Sequence, residues 1–266
     1  MGNLLKRLLA RHGGFLAVTA AALAWFQFVL CAIVSSVDVP RILGELMKNV
    51  PPLMRTLIEQ QIFGGLNSAG LLAFGWNHPI ALALGAVAAI SLAVRASAGE
   101  IESGAMELLL SQPISRGRYL SGQIVFAFSS LAGMSVLGAA GTFIGQKAFA
   151  LDALRPGTLL LLAANFFLLQ CVWYGIILLF SVFGREAGRV AFLGFLLTLA
   201  SYFLQVTGQL WVKAAFLLPF SVNNYYSPRD IIARHVIPVK SLAVLVGLAA
   251  AGLGAAAWRF HKADLP

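Results

Sequence analysis

Acids, arginines and a short amphipathic pattern occur together in one polar insert, residues 95–123, which reads RASAGEIESGAMELLLSQPISRGRYLSGQ. Its acids are Glu100, Glu102 and Glu107. The insert lies between two stretches that are apolar enough to cross a bilayer. Because charged side chains are costly in hydrocarbon, the insert must face water or a partner protein. A segment of this kind could bind another protein.

The spacing within the insert predicts a helix that begins after Ser97 and stops at Pro113. Ser97 and Glu100 have the spacing of a capping box, in which both side chains bond free backbone N–H groups. Glu100 and Glu107 would lie near one another, with Glu102 to one side. The opposite face is apolar and carries Ile101, Ala105, Leu108 and Leu109. From the residues alone, this helix either rests on the rest of the protein as a loop or docks on a partner.

The elements that must position this insert are membrane spans. The chain is 59% hydrophobic and only 11% charged, whereas a soluble domain carries about 25% charged residues. We therefore predict an all-α integral membrane protein that forms a single domain over residues 1–266. Six transmembrane helices are expected at residues 15–34, 79–94, 119–144, 158–183, 190–206 and 239–258. For the second, Asn77-His78-Pro79 marks either a kink in a longer helix or the start of a shorter one.

Basic residues near the span ends predict the orientation. Six spans place both termini on one side, and we assign this side to the cytoplasm. Lys6, Arg7 and Arg11 precede the first span, while Arg185 and Arg189 lie in the turn before the fifth. Such positions carry the positive-inside signal.

The two longest segments on the outer side, residues 36–70 and 208–238, are predicted to form short helices at the membrane surface. In the second of them, Ser227 is expected to cap a helix. Pro228 would occupy the first position of this helix, and Asp230 lies in its first turn.

The span interiors exclude several classes of function. They hold no acidic or basic side chain near their middles, which argues against an ion-coupled carrier. Their strongest polar groups are Gln27, Asn165 and Gln170. These amides either line a substrate path or form hydrogen bonds between helices.

Other residue types also argue against alternatives. The chain has no P-loop, no metalloprotease motif and no nucleophile elbow, so neither ATP binding nor catalysis is expected of it. Cys31 and Cys171 lie in apolar runs and are expected to be small buried hydrophobes. The net charge of +9 is spread over span edges without a basic stripe, which indicates contact with lipid headgroups and not nucleic acid.

Residues 100–116 follow the pattern Glu-x-Glu-Ser-Gly-x-x-Glu-Leu-Leu-Leu-Ser-x-Pro-Ile-Ser-Arg. This pattern resembles the signature of the type-2 permease family of ATP-binding cassette (ABC) transporters, in which it likewise lies between the second and third of six spans. The N-terminal basic stretch and the outer Tyr-Tyr-Ser-Pro segment are also similar to that family. Ala105 and Gln123 depart from it, since the family more often has Thr and Lys there.

The resemblance implies that the insert is a coupling helix, which seats in a groove of a separate ABC ATPase subunit. ATP and Mg would bind to that subunit, and this chain would hold no cofactor, metal or catalytic residue. The positions expected to dock the ATPase are Glu100, Glu102, Gly104, Glu107, Leu108, Leu109, Leu110, Pro113 and Arg116.

The resemblance also implies a half-transporter that pairs with a second permease copy or a homologue in the cell inner (cytoplasmic) membrane. An amphipathic lead-in with Lys6, Arg7 and Arg11 at the headgroups would lie along the inner leaflet.

Two functions follow from these expectations. The first is the membrane subunit of an ATP-driven exporter. The alternative is a permease-like subunit that transmits force to an envelope partner or a metalloenzyme-maturation partner and moves no solute. In that case the two outer segments would contact an extracytoplasmic partner protein.

Overall fold

A computed structural model describes residues 2–36, 68–104, 106, 115–151 and 154–262, with side chains from residue 6 onward. All regular structure in these ranges is helical, which confirms the predicted all-α class. The helices are α1 (Gly2–Ser36), α2 (Ser68–Trp76), α3 (Pro79–Ala96), α4 (Ala98–Glu102), α5 (Arg116–Ala148), α6 (Pro156–Phe183), α7 (Ala187–Leu210), α8 (Pro228–Arg234) and α9 (Val239–Lys262). Two 3₁₀ helices, Val212–Phe220 and Val222–Tyr225, follow α7.

Six helical segments in the described part of the chain are long and apolar enough to cross a membrane. They are α1, the α2–α3 pair, α5, α6, α7 and α9. Each contains one of the six predicted spans and extends beyond it at one or both ends. The first span continues into polar residues at its N-terminal end, whereas the second gains the apolar helix α2.

The sequence left open whether Asn77-His78-Pro79 is a kink in one long helix or the start of a shorter one. The second span consists of two helices, α2 and α3, separated by a turn at Asn77 and His78. His78 Nδ1 accepts a hydrogen bond from the backbone N–H of Ile80 at 3.2 Å, and Pro79 occupies the first helical position. Proline suits this position because the first backbone N–H has no partner within a helix.

Close helix approach in the bundle depends on glycine at two contacts. A Cβ on Gly141 of α5 would lie 2.2 Å from the backbone oxygen of Ala24 in α1. A Cβ on Gly252 of α9 would lie 2.8 Å from the backbone carbon of Gly175 in α6. Both contacts bring backbones together, the packing mode that small residues permit between membrane helices.

The predicted lead-in forms the first turns of α1, which is helical without interruption from Gly2 to Ser36. Lys6, Arg7 and Arg11 are exposed on this helix, whereas Leu8 is buried. The lead-in is therefore not a separate element, and its placement along the inner leaflet stays a prediction.

Of the two predicted outer segments, residues 37–67 lie outside the described residues. The other contains short helices as expected, but Ser227 forms no side-chain cap on α8 and instead donates to Ser241 Oγ at 3.4 Å. The 3₁₀ region folds back on α7, where Ser221 Oγ donates to the backbone oxygen of Ser201 at 2.7 Å.

Candidate functional site

The polar insert begins with α4, a helix of five residues. Its last residue is Glu102, and Ser103 and Gly104 follow it. Gly104 has a φ of 70°, a left-handed conformation that glycine adopts readily. The predicted helix from Ser97 to Pro113 is therefore wrong as one continuous element, because its first part stops at Glu102. Residues 105 and 107–114, which include Glu107, Leu108, Leu109, Leu110 and Pro113, lie outside the described residues.

Glu100 faces the protein interior. It is 4% exposed, and its Oε1 forms an ion pair with the NH1 group of Arg11 in α1. Ser97 occupies the N-cap position, but its buried hydroxyl has no hydrogen-bond partner among the described residues. The capping box is therefore not formed. In this chain the Glu100 carboxylate is paired with Arg11, and docking by Glu100 on a partner protein stays a prediction.

Polar side chains near Glu100 hold the ends of α1, α3 and α5 together. The hydroxyl of Tyr119 in α5 donates to the backbone oxygen of Ala96 at 3.1 Å, and Gln123 Nε2 donates to that hydroxyl at 2.8 Å. His12 Nδ1 lies 3.3 Å from the NH1 group of Arg95. Among the described residues, the partner of the Glu100 carboxylate itself is Arg11, and this ion pair compensates for its loss of hydration.

Glu102 connects the insert to α7. This side chain is exposed, and its Oε2 accepts a hydrogen bond from the backbone N–H of Ala187, the first residue of α7, at 2.8 Å. Glu186 at the N-cap position makes no cap bond of its own. A carboxylate is favourable here because the N-terminus of a helix carries partial positive charge and free N–H groups.

Ser181 connects the insert to α6. Its hydroxyl accepts a hydrogen bond from the backbone N–H of Ala98 at 3.0 Å and donates to the backbone oxygen of Val94 at 3.1 Å. The short α4 is thus attached to three spanning helices, to α1 through Glu100, to α6 through Ala98 and to α7 through Glu102. A displacement of α4 would be transmitted to all three.

At the far end of the insert, Ser115 caps α5 as predicted, since its hydroxyl accepts a hydrogen bond from the backbone N–H of Arg118 at 3.3 Å. Arg116 is the first residue of α5 and is half-buried. The exposed residues in the described part of the insert are Arg95, Glu102, Ser103, Gly104, Ser115, Arg118 and Ser121. Docking by Glu102, Gly104 and Arg116 stays a prediction.

The three intramembrane amides are buried. Gln27, Asn165 and Gln170 are 0%, 0% and 1% exposed, and neither end of each amide has a hydrogen-bond partner among the described residues. Hydrogen bonds between helices, one of the two predicted roles of these amides, are therefore absent among the described residues. Gln170 packs against the helix that faces it, where a Cβ on Gly85 would lie 2.4 Å from its Nε2 atom.

A cavity of about 210 Å³ lies between α3, α6, α7 and the second 3₁₀ helix. Gln27, Asn165 and Gln170 are not among its lining residues, whereas Asn223 is. Asn223 was not predicted as a site residue, because residues 208–238 were expected to lie at the membrane surface. The sequence feature that could have indicated it is the Asn-Asn-Tyr-Tyr run, which comes shortly after the apolar residues 214–220.

Cys31 and Cys171 are both buried, as predicted. Within the described ranges, no group of three or more His, Cys, Asp or Glu side chains has the geometry of a metal site.

A family model described as ABC-2 family transporter protein matches residues 25–265. Searches of curated proteins and of solved structures return no match. The matched range covers most of the chain, from the middle of the first span through the last, and it includes the polar insert. The family and the six apolar helices both indicate a multi-pass membrane protein that serves as a permease component in transport. This chain belongs to the ABC-2 family of transporter proteins.

Proposed function

We propose that this chain is the membrane-spanning subunit of an ABC exporter, in which a separate ATPase subunit hydrolyses ATP and this chain moves the substrate. The observation that supports the proposal most directly is the attachment of α4 to α1, α6 and α7. Through these bonds, a force that a partner applied to α4 would reach three spanning helices.

In this mechanism the ATPase contacts residues of the insert between Glu102 and Arg116. Glu107 and the three leucines after it would supply the acid and the apolar anchors. Closure of the ATPase pair would move the insert, and the bonds of Glu100 and Glu102 would carry that movement to α1 and α7. ATP and Mg would bind to the ATPase subunit, because this chain has no P-loop.

The arrangement of helix ends supports a cytoplasmic insert and cytoplasmic termini. Arg11 of α1 and Ala187 of α7 both contact α4, which places these ends beside the insert. Phe260 near the end of α9 stacks on Tyr119 with ring centroids 6.1 Å apart, so the C-terminal end lies there too. Basic residues at these same ends, among them Lys6, Arg7, Arg185 and Arg189, favour the inner face of the cytoplasmic membrane.

A complete transporter would contain this chain, a second copy or a homologue, and two ATPase subunits in the lipid bilayer. The cavity between α3 and α7 favours export over the alternative in which the chain transmits force to an extracytoplasmic partner protein without moving a solute. Transmission of force requires no cavity, whereas transport requires a place for a substrate.

The proposal is tested by purifying the full chain from its native membrane in mild detergent, followed by native mass spectrometry and an ATPase assay. We expect a P-loop ATPase to copurify in a two-to-two complex whose ATP hydrolysis is sensitive to vanadate. A chain that purifies alone, or with other proteins and no ATP hydrolysis, would contradict the proposal.

A further inference from the structure

The cavity between α3 and α7 is elongated along α3. It is lined from Pro79, at the start of that helix, to Ile90, eleven residues later, a distance of about 16 Å at the rise of an α-helix. An engineered cavity of about 150 Å³ holds one benzene molecule. The 210 Å³ here therefore suits about eight carbon atoms on the same scale.

The wall of the cavity is almost wholly apolar, and none of its lining residues carries a charge. Its apolar lining residues include Leu82, Ala86, Ile90, Leu169, Trp173 and Leu199. Of its polar side chains, Thr198 already donates its hydroxyl to the backbone oxygen of Phe195 at 2.9 Å. A charged ligand group would lose its hydration here without compensation, so the part of a ligand that enters must be uncharged.

Asn223 supplies one unsatisfied polar atom at the outer end of this wall. The residue is 3% exposed, and its Oδ1 has no hydrogen-bond partner among the described residues. Its backbone is fixed, because its N–H donates to Ser201 Oγ at 3.2 Å and its carbonyl accepts from Gln205 Nε2 at 3.1 Å. Buried polar atoms are nearly always hydrogen-bonded, so an orphaned amide oxygen beside a cavity points to a missing donor.

The cavity borders the outer surface of the bundle. Phe195 and Phe203 of α7 line it and are 52% and 56% exposed, and Val87 of α3 is 45% exposed. These side chains face out of the spanning helices, and where no second copy covers them their surroundings would be lipid. A molecule dissolved in the bilayer can therefore reach the cavity from the side without crossing water.

We propose that this cavity binds an uncharged amphiphile, namely an aliphatic chain that carries a hydroxyl group, and that the hydroxyl bonds the side-chain amide of Asn223. A hydroxyl both donates and accepts, so it satisfies this amide whichever way its oxygen and nitrogen are placed. An amine would be charged at neutral pH and is excluded by the uncharged wall. As a statement about the exported molecule, the proposal rests on the exporter function above and names its substrate class.

The test uses the full chain in lipid nanodiscs and a photoreactive octanol as the probe, with labelled residues mapped by mass spectrometry. We expect saturable labelling of the lining residues on α3 and α6. Octan-1-ol should compete, and octyl methyl ether should compete about tenfold less well, the effect of losing one hydrogen-bond donor in apolar surroundings.

Two kinds of variant sharpen the result. Asn223→Val should weaken competition by octan-1-ol about tenfold and leave that by the ether unchanged. Ala86→Phe should abolish saturable labelling by filling the cavity, and Ala83→Phe does the same from an exposed lining position if the first variant fails to fold. Ala17→Phe, on the exposed face of α1, is the matched control and should change nothing.

The proposal would be overturned if labelling cannot be saturated, is equally strong on exposed residues of α9 and is unchanged by these substitutions. The binding test needs no ATPase, so its failure is separable from failure of the exporter function. If an ATPase copurifies but labelling is unsaturable, only the cavity proposal is wrong. If labelling is saturable but no ATPase associates, the hydroxyl-binding site stands and the exporter function is wrong.

Discussion

Glu100 in the polar insert and Arg11 in the first helix form an ion pair between residues 89 positions apart in the sequence. The carboxylate is buried, whereas the arginine side chain is 47% exposed. The pair therefore joins the insert to α1 at the edge of the bundle, with the anion inside and the cation at the surface. It makes the insert part of the packed structure and not an appended loop.

Replacement of Arg11 should destabilise the protein. Arg11→Leu leaves the Glu100 carboxylate buried without its partner, which we expect to cost about 1–3 kcal/mol or more. The measurement is the apparent Tm of the detergent-solubilised protein. The double variant Arg11→Leu with Glu100→Leu removes both charges and should recover most of the loss. If the double variant is no more stable than Arg11→Leu, the ion pair is not the cause.

Removal of the Glu102 carboxylate should loosen the start of α7. Glu102→Ala deletes the acceptor for the Ala187 N–H group, and loss of such a cap costs about 0.5–2 kcal/mol. Hydrogen exchange of residues 187–190 in nanodiscs should become faster. Glu186→Ala is the matched control, because Glu186 forms only an exposed ion pair with Arg189. Equal acceleration in both variants would argue against capping by Glu102.

The contact between α1 and α5 should tolerate no side chain at Gly141. Gly141→Ala would place a Cβ 2.2 Å from the Ala24 oxygen, and overpacking of this kind typically costs about 1–3 kcal/mol. Gly133→Ala, in the same helix with nothing within 4 Å of its Cβ position, should instead stabilise α5 slightly through helix propensity. Thermal denaturation of the two variants distinguishes them, and a Gly141→Ala protein as stable as Gly133→Ala would refute the close contact.

Tyr226 should stabilise the break between α2 and α3. Its buried hydroxyl donates to the backbone oxygen of Trp76 at 2.9 Å, so Tyr226→Phe leaves that oxygen without this donor and should cost about 1 kcal/mol. Tyr225→Phe is the control, because the Tyr225 hydroxyl bonds the backbone oxygen of Pro219 at an exposed site. The two variants are compared by their Tm values, and equal losses would show that burial of the Tyr226 bond has no special effect.

The spanning helices could be predicted from sequence because lipid imposes a simple rule, namely about twenty apolar residues per helix. Local caps were predictable where one side chain reaches the next turn, as Ser115 does. The proline rule located the start of α3 at Pro79 but left its relation to α2 open, since a kink and a two-residue turn share the same residues.

The inward position of Glu100 could not be predicted. An acid three residues after Ser97 has the spacing of a local cap, so the sequence favoured a bond within the insert. Its actual partner, Arg11, lies on another helix, and tertiary contact overrode the local signal. Asn223 was missed for a related reason. Its role depends on the fold-back of the 3₁₀ region against α7, and no local pattern encodes that contact.

Docking of an ATPase on the insert can be tested by photocrosslinking in intact native membranes. A benzoylphenylalanine residue would replace Ser103, which is exposed next to α4. In a control it would replace Val239, the exposed first residue of α9, at the end of that helix far from Phe260. We predict that the Ser103 probe crosslinks to a subunit that is also labelled by azido-ATP, and that the Val239 probe does not. If no ATP-binding subunit is crosslinked at Ser103, or if it is crosslinked at Val239 instead, an ATPase does not dock on the insert.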